Sequence, residues 1–329
     1  MDEQRTATGA VVVGVDGSSI ALSAVRWATQ EAHLRSAPLR IVHVAPHAER
    51  NAAAERRIAS ILTRARTTAE TTDRDVAVTV ETRTGPATAS LVDATEDAQL
   101  LVVGMGGGER YEDVRLHSTA LALCTAATCP VAVVRGVGGT VPEDGQVVLG
   151  IDDVVADATA VTVAFADAQR HHGGLTVVHA VHGTGPVRDH VMGHEAHARR
   201  KDAAWIAITD GLAPWRSRWP EVPVELKIVD GPAHAHLLPA AVAARLLVLG
   251  TRARRSATAR VVLGSTSHTV LRHAPCPVLV VRRDARLTES SAEALAAEAI
   301  ARPLPPAPVA HVAYPERWTL RVTDHRPRR

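Results

Sequence analysis

The chain is written twice. Val11-Val12-Val13-Gly14-Val15-Asp16 returns as Val147-Val148-Leu149-Gly150-Ile151-Asp152, and Leu100-Leu101-Val102-Val103-Gly104 returns as Leu246-Leu247-Val248-Leu249-Gly250. Gly85-Pro86 returns as Gly231-Pro232, and Cys129-Pro130-Val131-Ala132-Val133-Val134-Arg135 returns as Cys276-Pro277-Val278-Leu279-Val280-Val281-Arg282. The offset between copies grows from 136 at the aspartates to 146 at the strand-end glycines and 147 at the cysteines, so the second copy carries insertions. A repeat of this length makes the fold a property of one unit, used twice, and 329 residues suit two domains of about 150.

Each unit alternates short apolar runs, rich in Val and Leu, with longer segments of helical spacing. Runs apolar on both faces suit parallel strands covered by helices on either side. Strands are predicted near 10–16, 39–45, 76–82, 99–104 and 130–135, and again near 146–152, 174–181, 223–229, 245–250 and 277–283. The first helix is expected after Asp16-Gly17-Ser18-Ser19, a Ser-capped start before the stripe Ala21, Ala24, Val25 and Ala28. The chain divides into a first domain over 1–137, a Gly-rich and acidic linker over 138–145, a second domain over 146–283 and a Pro-rich tail over 284–329. The tail holds six of the 19 prolines and one candidate helix near 290–301, and is expected to pack on or trail from the second unit.

Composition excludes several classes. Hydrophobic residues make up 46% but aromatics only 2%, so the cores must be built from Ala, Val, Leu and Ile, and base-stacking platforms are not expected. Basic and acidic residues number 37 and 35, a balance that argues against nucleic acid or an acidic membrane as partner. The only lysines, Lys201 and Lys227, do not follow glycine, which excludes a Walker-type phosphate loop. Three cysteines give no disulfide framework and the opening residues give no secretory pattern, so a cytoplasmic address is expected. The uncharged run over 118–134 is broken by Pro130 and reads as helix then strand, not as a membrane span.

In an open parallel sheet of order 3-2-1-4-5, ligands sit at the carboxyl ends of the first and fourth strands, where the chain winds away in opposite directions. The first strand ends at Asp16 or Asp152 and the fourth at Gly104 or Gly250, each opening a loop that runs into a helix. Backbone N–H groups of such a loop, with the helix N-terminus behind it, suit a phosphate. The same residues also suit plainer roles, since an Asp can cap the following helix and Gly or Ser are ordinary loop and cap residues.

At these residues the chain resembles the universal stress protein (UspA-like) family in its tandem form, over about 9–136 and 146–283 but not the tail. The resemblance implies two flavodoxin-like, adenine nucleotide alpha hydrolase-like α/β domains, each a five-stranded parallel sheet of order 3-2-1-4-5. It also implies that the last strands, Val131–Arg135 and Val278–Arg282, pair with each other across the two units, and it allows whole chains to form a homodimer. Its nucleotide-binding variant has a fourth-strand loop reading Gly, two residues, Gly, nine residues, Gly, then Ser or Thr. Carried over by position, the implied contacts are Asp16, Val44, Gly104, Gly107 and Ser118 in the first unit. In the second they are Asp152, Ala180, Gly250, Gly264 and Ser265, with Ala253 in the place of the middle glycine. The aspartate and the residue after the second strand's His would meet adenine, and the loop would hold ribose and phosphates. The implied ligand is ATP, with or without Mg, or a related adenine nucleotide.

Both copies depart from that pattern. His117 stands where the first unit's third glycine should be, and its loop carries Glu109, Glu112 and Asp113. The second loop is one residue longer but carries Arg252, Arg254, Arg255 and Arg260. Charge repulsion near a phosphate outweighs one methyl, so nucleotide is expected mainly in the second domain. The expected role is a stress-response signalling or regulatory module that is not an enzyme, any ATP hydrolysis being slow and incidental. The alternative is a nucleotide-free tandem scaffold acting through protein contacts.

Other groupings read as structural. His190, His194 and His197 share a helical face, but the segment is strongly polar and contains Gly193, which favours a solvated face over a metal site. Cys129 and Cys276 read as inert core residues, and Trp205, Trp215 and Trp219 as staples for the second unit's insertion. No Gly-x-Ser-x-Gly elbow is present, and His194-Glu195-Ala196-His197 is one residue short of the zinc-protease spacing.

Overall fold

In the computed structural model residues 9–46, 51–106, 111–135, 145–181, 186–251 and 263–287 are described, 111–118 and 186–196 by their backbone alone. The first unit runs β1 (Val11–Val15), α1 (Ser19–Leu34), β2 (Leu39–Ala45), α2 (Ala52–Thr72), β3 (Val78–Thr84), α3 (Ala87–Asp93), β4 (Leu100–Met105), α4 (Tyr111–Ala126) and β5 (Val131–Arg135). The second begins with β6 (Gln146–Ile151), α5 (Ala158–Arg170), β7 (Leu175–Val181), α6 (Pro186–Gly211) and α7 (Ala213–Arg218). It continues through β8 (Val224–Asp230), α8 (Ala233–Ala241), β9 (Ala244–Thr251), α9 (Ser265–His273) and β10 (Val278–Arg282). Each expected strand is present within two residues of its predicted ends. The linker apart from Gly145 and the candidate tail helix lie outside the described residues.

Local chemistry accounts for the element boundaries. Ser18 caps α1 as its sequence suggested, its Oγ accepting the Ala21 N–H at 3.1 Å. The repeated Gly-Pro pair turns the chain into α3 and α8: Gly85 and Gly231 hold φ of 134° and 89°, and Pro86 and Pro232 are the N-caps that follow. Glycine tolerates that left-handed region and proline fixes the next φ for helix entry.

Parallel pairing gives the order β3-β2-β1-β4-β5 in the first unit and β8-β7-β6-β9-β10 in the second, which is 3-2-1-4-5 in each. The two halves then join: β5 and β10 pair antiparallel, Val278 opposite Val133 and Val280 opposite Val131, to make one ten-stranded sheet among the described residues. This is the edge pairing that the resemblance implied. Strands so apolar on both faces would otherwise present bare N–H and C=O groups beside a hydrophobic surface. The strand-end arginines secure the seam. Arg282 Nη1 donates to the carbonyls of Thr125, Ala126 and Ala127 at 3.2–3.3 Å, and Arg135 Nη1 donates to the Leu271 carbonyl at 3.3 Å, each reaching a helix end of the other unit.

Side chains alternate between two cores. Val11 and Val13 join the layer beneath α1, α2, α5 and α7, which holds Trp27, Phe165 and Trp215, while Val12 joins the layer beneath α3, α4, α8 and α9. Trp215 Nε1 donates to Thr162 Oγ1 at 2.8 Å, and the Trp219 ring stacks on Phe165 with centroids 5.7 Å apart, so these two do staple α7 to α5. Cys124, Cys129 and Cys276 are buried, and burial pushes each thiol up to about 12, which leaves them inert.

Two features lay outside the sequence reading. The chain after β10 touches both units: Leu287 borders Thr162, Val163 and Ala166 of α5, while the Arg286 N–H donates to the Thr128 carbonyl at 2.7 Å and its Nη1 to the Glu96 carbonyl at 3.4 Å. The antiparallel seam sends the end of β10 toward the start of β5, so these first residues of the tail lie at the junction of the two units. Between α1 and α5 lies a buried ionic cluster. Arg35 bonds Glu31 within α1 and, at 2.7 Å, Asp167 of α5; Glu31 Oε1 lies 3.0 Å from His171 Nε2. Burial pushes the Asp167 carboxyl up, but the Arg35 and Arg170 guanidiniums more than offset it and hold it below the ordinary range. Burial, with Arg245 nearby, drives His171 down to about 4, so it is neutral at neutral pH.

Candidate functional site

Strands β6 and β9 are parallel neighbours, with Val148 opposite Leu247 and Leu149 opposite Val248. From their carboxyl ends the chain leaves toward opposite faces of the sheet. A cavity of about 600 Å³ opens at this reversal, and Asp152, Ala180, Gly250, Gly264 and Ser265 all line it. The second set of sequence-derived positions is therefore brought together, except that Ala253 lies outside the described residues. Val178, Leu237, Leu249 and Leu263 supply apolar wall.

The polar end of this cavity is the start of α9. Gly264 is its N-cap and offers no side chain, and the first helical bond runs from the His268 N–H to the Gly264 carbonyl at 3.0 Å. The N–H groups of Ser265, Thr266 and Ser267 precede that bond, have no intrahelical acceptor, and belong to residues on the cavity wall. A Cβ placed on Gly264 would meet nothing within 4 Å, so this glycine borders open space. Gly250 is different: a Cβ there would lie 2.4 Å from Asp157 Oδ1. At the matching Gly104 a Cβ would lie 2.9 Å from Ile20 Cγ2 and 3.2 Å from the Ala21 nitrogen. Both strand-end glycines thus permit close approach of the first helix of their own unit, whatever else the loops do.

Asp157 was not among the sequence-derived candidates. It precedes α5, is only 7% exposed, and lines the cavity. Its Oδ2 accepts the Asp152 N–H at 2.9 Å and the Asp153 N–H at 3.4 Å. Burial is the main reason its carboxyl is pushed up to about 6; the Asp153 backbone N–H opposes the rise, the Asp153 charge adds to it, and Arg283 and His179 oppose it. The sequence did hold a signal. At the 136-residue offset of the aspartates, Asp157 stands where the first copy has Ala21.

The first unit makes a much smaller hollow of about 110 Å³ at the β1–β4 reversal, lined by Asp16, Val44 and Gly104 with Ile20 and Leu91. Asp16 Oδ1 accepts the Ser18 N–H at 2.9 Å, an Asx turn just before α1; the cap itself is Ser18 and not Asp16. Gly107 lies outside the described residues, and Ser118 falls in α4 where only the backbone is described. Ligand pockets usually enclose about 300–1,000 Å³, a range that holds the second cavity and not the first. In both units the second strand's histidine ties to the first strand's end: His43 Nδ1 lies 2.7 Å from the Val15 carbonyl and His179 Nδ1 3.3 Å from that of Ile151.

The remaining histidine grouping does not assemble among the described residues. His190 and His194 have no described side chains, and His197 Nε2 lies 2.8 Å from Asp230 Oδ1, beside Lys201 Nζ at 3.1 Å from Oδ2. Among the described residues no three metal-binding side chains cluster, and no helix is long and apolar enough to cross a membrane.

Comparison with known proteins agrees with this geometry. The universal stress protein family model matches twice, over residues 8–135 and 145–282. A universal stress protein of Mycobacterium tuberculosis is 31% identical over 290 residues, spanning 83% of this chain and 97% of that protein. Another, of Mycolicibacterium smegmatis, is 32% identical over 288 residues, spanning 83% and 96%. Among solved structures, a universal stress protein from Archaeoglobus fulgidus superposes with a TM-score of 0.59 at 16% identity, covering 84% of this chain and 96% of that one. With two matched copies that between them span nearly all of the described residues, the chain belongs to the universal stress protein family in tandem form.

Proposed function

We propose that the second unit binds an adenine nucleotide, ATP or a close relative, and that occupancy of this cavity is the state the protein signals in a stress response. The observation that carries this is the cavity of about 600 Å³ that joins Asp152 to the open N-terminus of α9. Its apolar walls suit a purine, the Asp152 end suits the amino or hydroxyl donors of a nucleoside, and the first-turn N–H groups of α9 suit a phosphate. Magnesium, where ATP is the ligand, enters as part of the ligand. In this reading the protein is a binding module and not an enzyme.

The first unit's hollow of about 110 Å³ favours a scaffold role for that half, which narrows the nucleotide-free alternative to one domain. The test is a thermal or urea unfolding series with added ATP, AMP and adenosine. A ligand at one hundred times its Kd should stabilise the fold by about 2.7 kcal/mol. Gly264→Arg, which projects into open space and so spares the fold, should abolish the shift, and Asp152→Ala should weaken it. An unchanged shift in both variants would overturn the site. No shift with any of the three ligands would overturn the nucleotide reading itself.

A further inference from the structure

We infer that Asp157 makes the second cavity a proton-dependent selector among adenine nucleotides, disfavouring charged phosphate chains while it is ionised and admitting them once it is protonated. This rests on the nucleotide reading above and names the regulation of that same site.

The geometry places a resident anion on the wall of the same cavity that ends at the N-terminus of α9. Asp157 is 7% exposed and sits on the cavity wall, so its charge is poorly screened by water. Its Oδ2 takes the backbone N–H groups of Asp152 and Asp153, two successive donors in the turn after β6. Successive main-chain donors of this kind form anion-binding concavities, and here the carboxylate has already filled one. Its Oδ1 lies against Gly250, so close that any Cβ there would overlap it at 2.4 Å, which locks the carboxylate at the reversal between β6 and β9. In the first copy the same offset gives Ala21, so the carboxylate belongs to the larger cavity alone.

The charged groups that face Asp157 come from three directions among the described residues. The turn after β6 contributes Asp153 and Asp152, β7 contributes His179, and the turn after β10 contributes Arg283. Strand β9 offers Gly250 there, and the start of α9 adds only the hydroxyl side chains of Ser265, Thr266 and Ser267 to the wall. Burial already lifts the carboxyl to about 6, within reach of modest acidification. A bound phosphate would raise it further, and by linkage each additional unit means about tenfold tighter binding to the protonated cavity than to the ionised one.

The experiment measures Kd for adenosine, AMP and ATP at about pH 7.5 and about pH 5 on the full chain and on Asp157→Asn, which keeps the size and an acceptor oxygen but cannot ionise. Comparing the two proteins cancels the titration of the ligands' own phosphates. The natural chain should gain about tenfold more affinity for ATP on acidification than the variant does, less for AMP, and nothing for adenosine. Equal pH dependence in the two proteins would overturn the role of Asp157 while leaving nucleotide binding intact. An equal gain for adenosine would also overturn it, because the effect would then be one of cavity shape and not of charge. If none of the three ligands binds either protein at either pH, the nucleotide reading falls and the inference falls with it. Should Asp157→Asn fail to fold, the natural chain decides by comparing adenosine with cyclic AMP, whose phosphodiester keeps one charge across this range: cyclic AMP must gain on acidification and adenosine must not.

Discussion

Replacing Arg35 by methionine removes a cation that joins both halves of the buried ionic cluster. Arg35 lies between Glu31 in its own helix and Asp167 in the other unit, and the side chains of Glu31, Arg35 and Asp167 are 2%, 6% and 0% exposed. Asp167 would keep Arg170, but Glu31 would be left facing His171, which is held down to about 4 and is therefore neutral at neutral pH. Removing one partner of a buried pair costs about 3–5 kcal/mol because it strands a charge out of water. The surviving Arg170 contact puts Arg35→Met near the lower end, about 3 kcal/mol. Methionine keeps most of the side-chain volume, so cavity formation adds little. Urea unfolding at neutral pH measures the loss. The triple replacement Glu31→Gln, Arg35→Met, Asp167→Asn should recover most of it, since no carboxylate is then left without a partner. A loss below about 1 kcal/mol for the single change, the range of exposed ion pairs, would refute the argument.

Other consequences can be measured directly. His171 is lowered in the fold, so its stabilising contribution is complete above its unfolded value near 6.5 and is lost as pH falls toward about 4, a change of about 3 kcal/mol. Asp157 is raised, so it works in the opposite sense: it destabilises the fold above about 6, and that penalty of about 3 kcal/mol is relieved between about 6 and its unfolded value of 3.8. A stability profile of the natural chain should therefore fall only shallowly through this window, whereas Asp157→Asn should be more stable at neutral pH and fall more steeply. Gly250→Ala should cost about 1–3 kcal/mol from overlap with Asp157, while Gly264→Ala should leave the melting temperature nearly unchanged. A thiol reagent should label none of Cys124, Cys129 and Cys276 until the chain unfolds, a result read by titration with and without denaturant.

The strands were legible because parallel strands covered on both faces are written as unbroken apolar runs, and the repeat supplied each run with a second witness. The convergence of Asp152, Ala180, Gly250, Gly264 and Ser265 followed from where those runs end. The role of Gly250 did not: sequence shows that a Cβ is missing, not which neighbour requires it, and here that neighbour is Asp157. Asp157 is written only as a departure from the repeat, five residues beyond Asp152 and opposite Ala21 of the first copy. The ionic cluster had no local pattern at all, since Arg35 and Asp167 lie 132 positions apart and meet only when the two sheets join. The direction of the chain after β10 likewise depends on the hand of the β5–β10 pairing, which no single unit encodes.

That seam changes what the connecting peptide is for. Because main-chain ladders, the two arginines and a shared ionic cluster already hold the halves together, a protease cut between 136 and 144 should yield two fragments that stay associated through gel filtration. The peptide bond there serves to bring the halves together once, during synthesis, and cohesion afterwards belongs to the sheet.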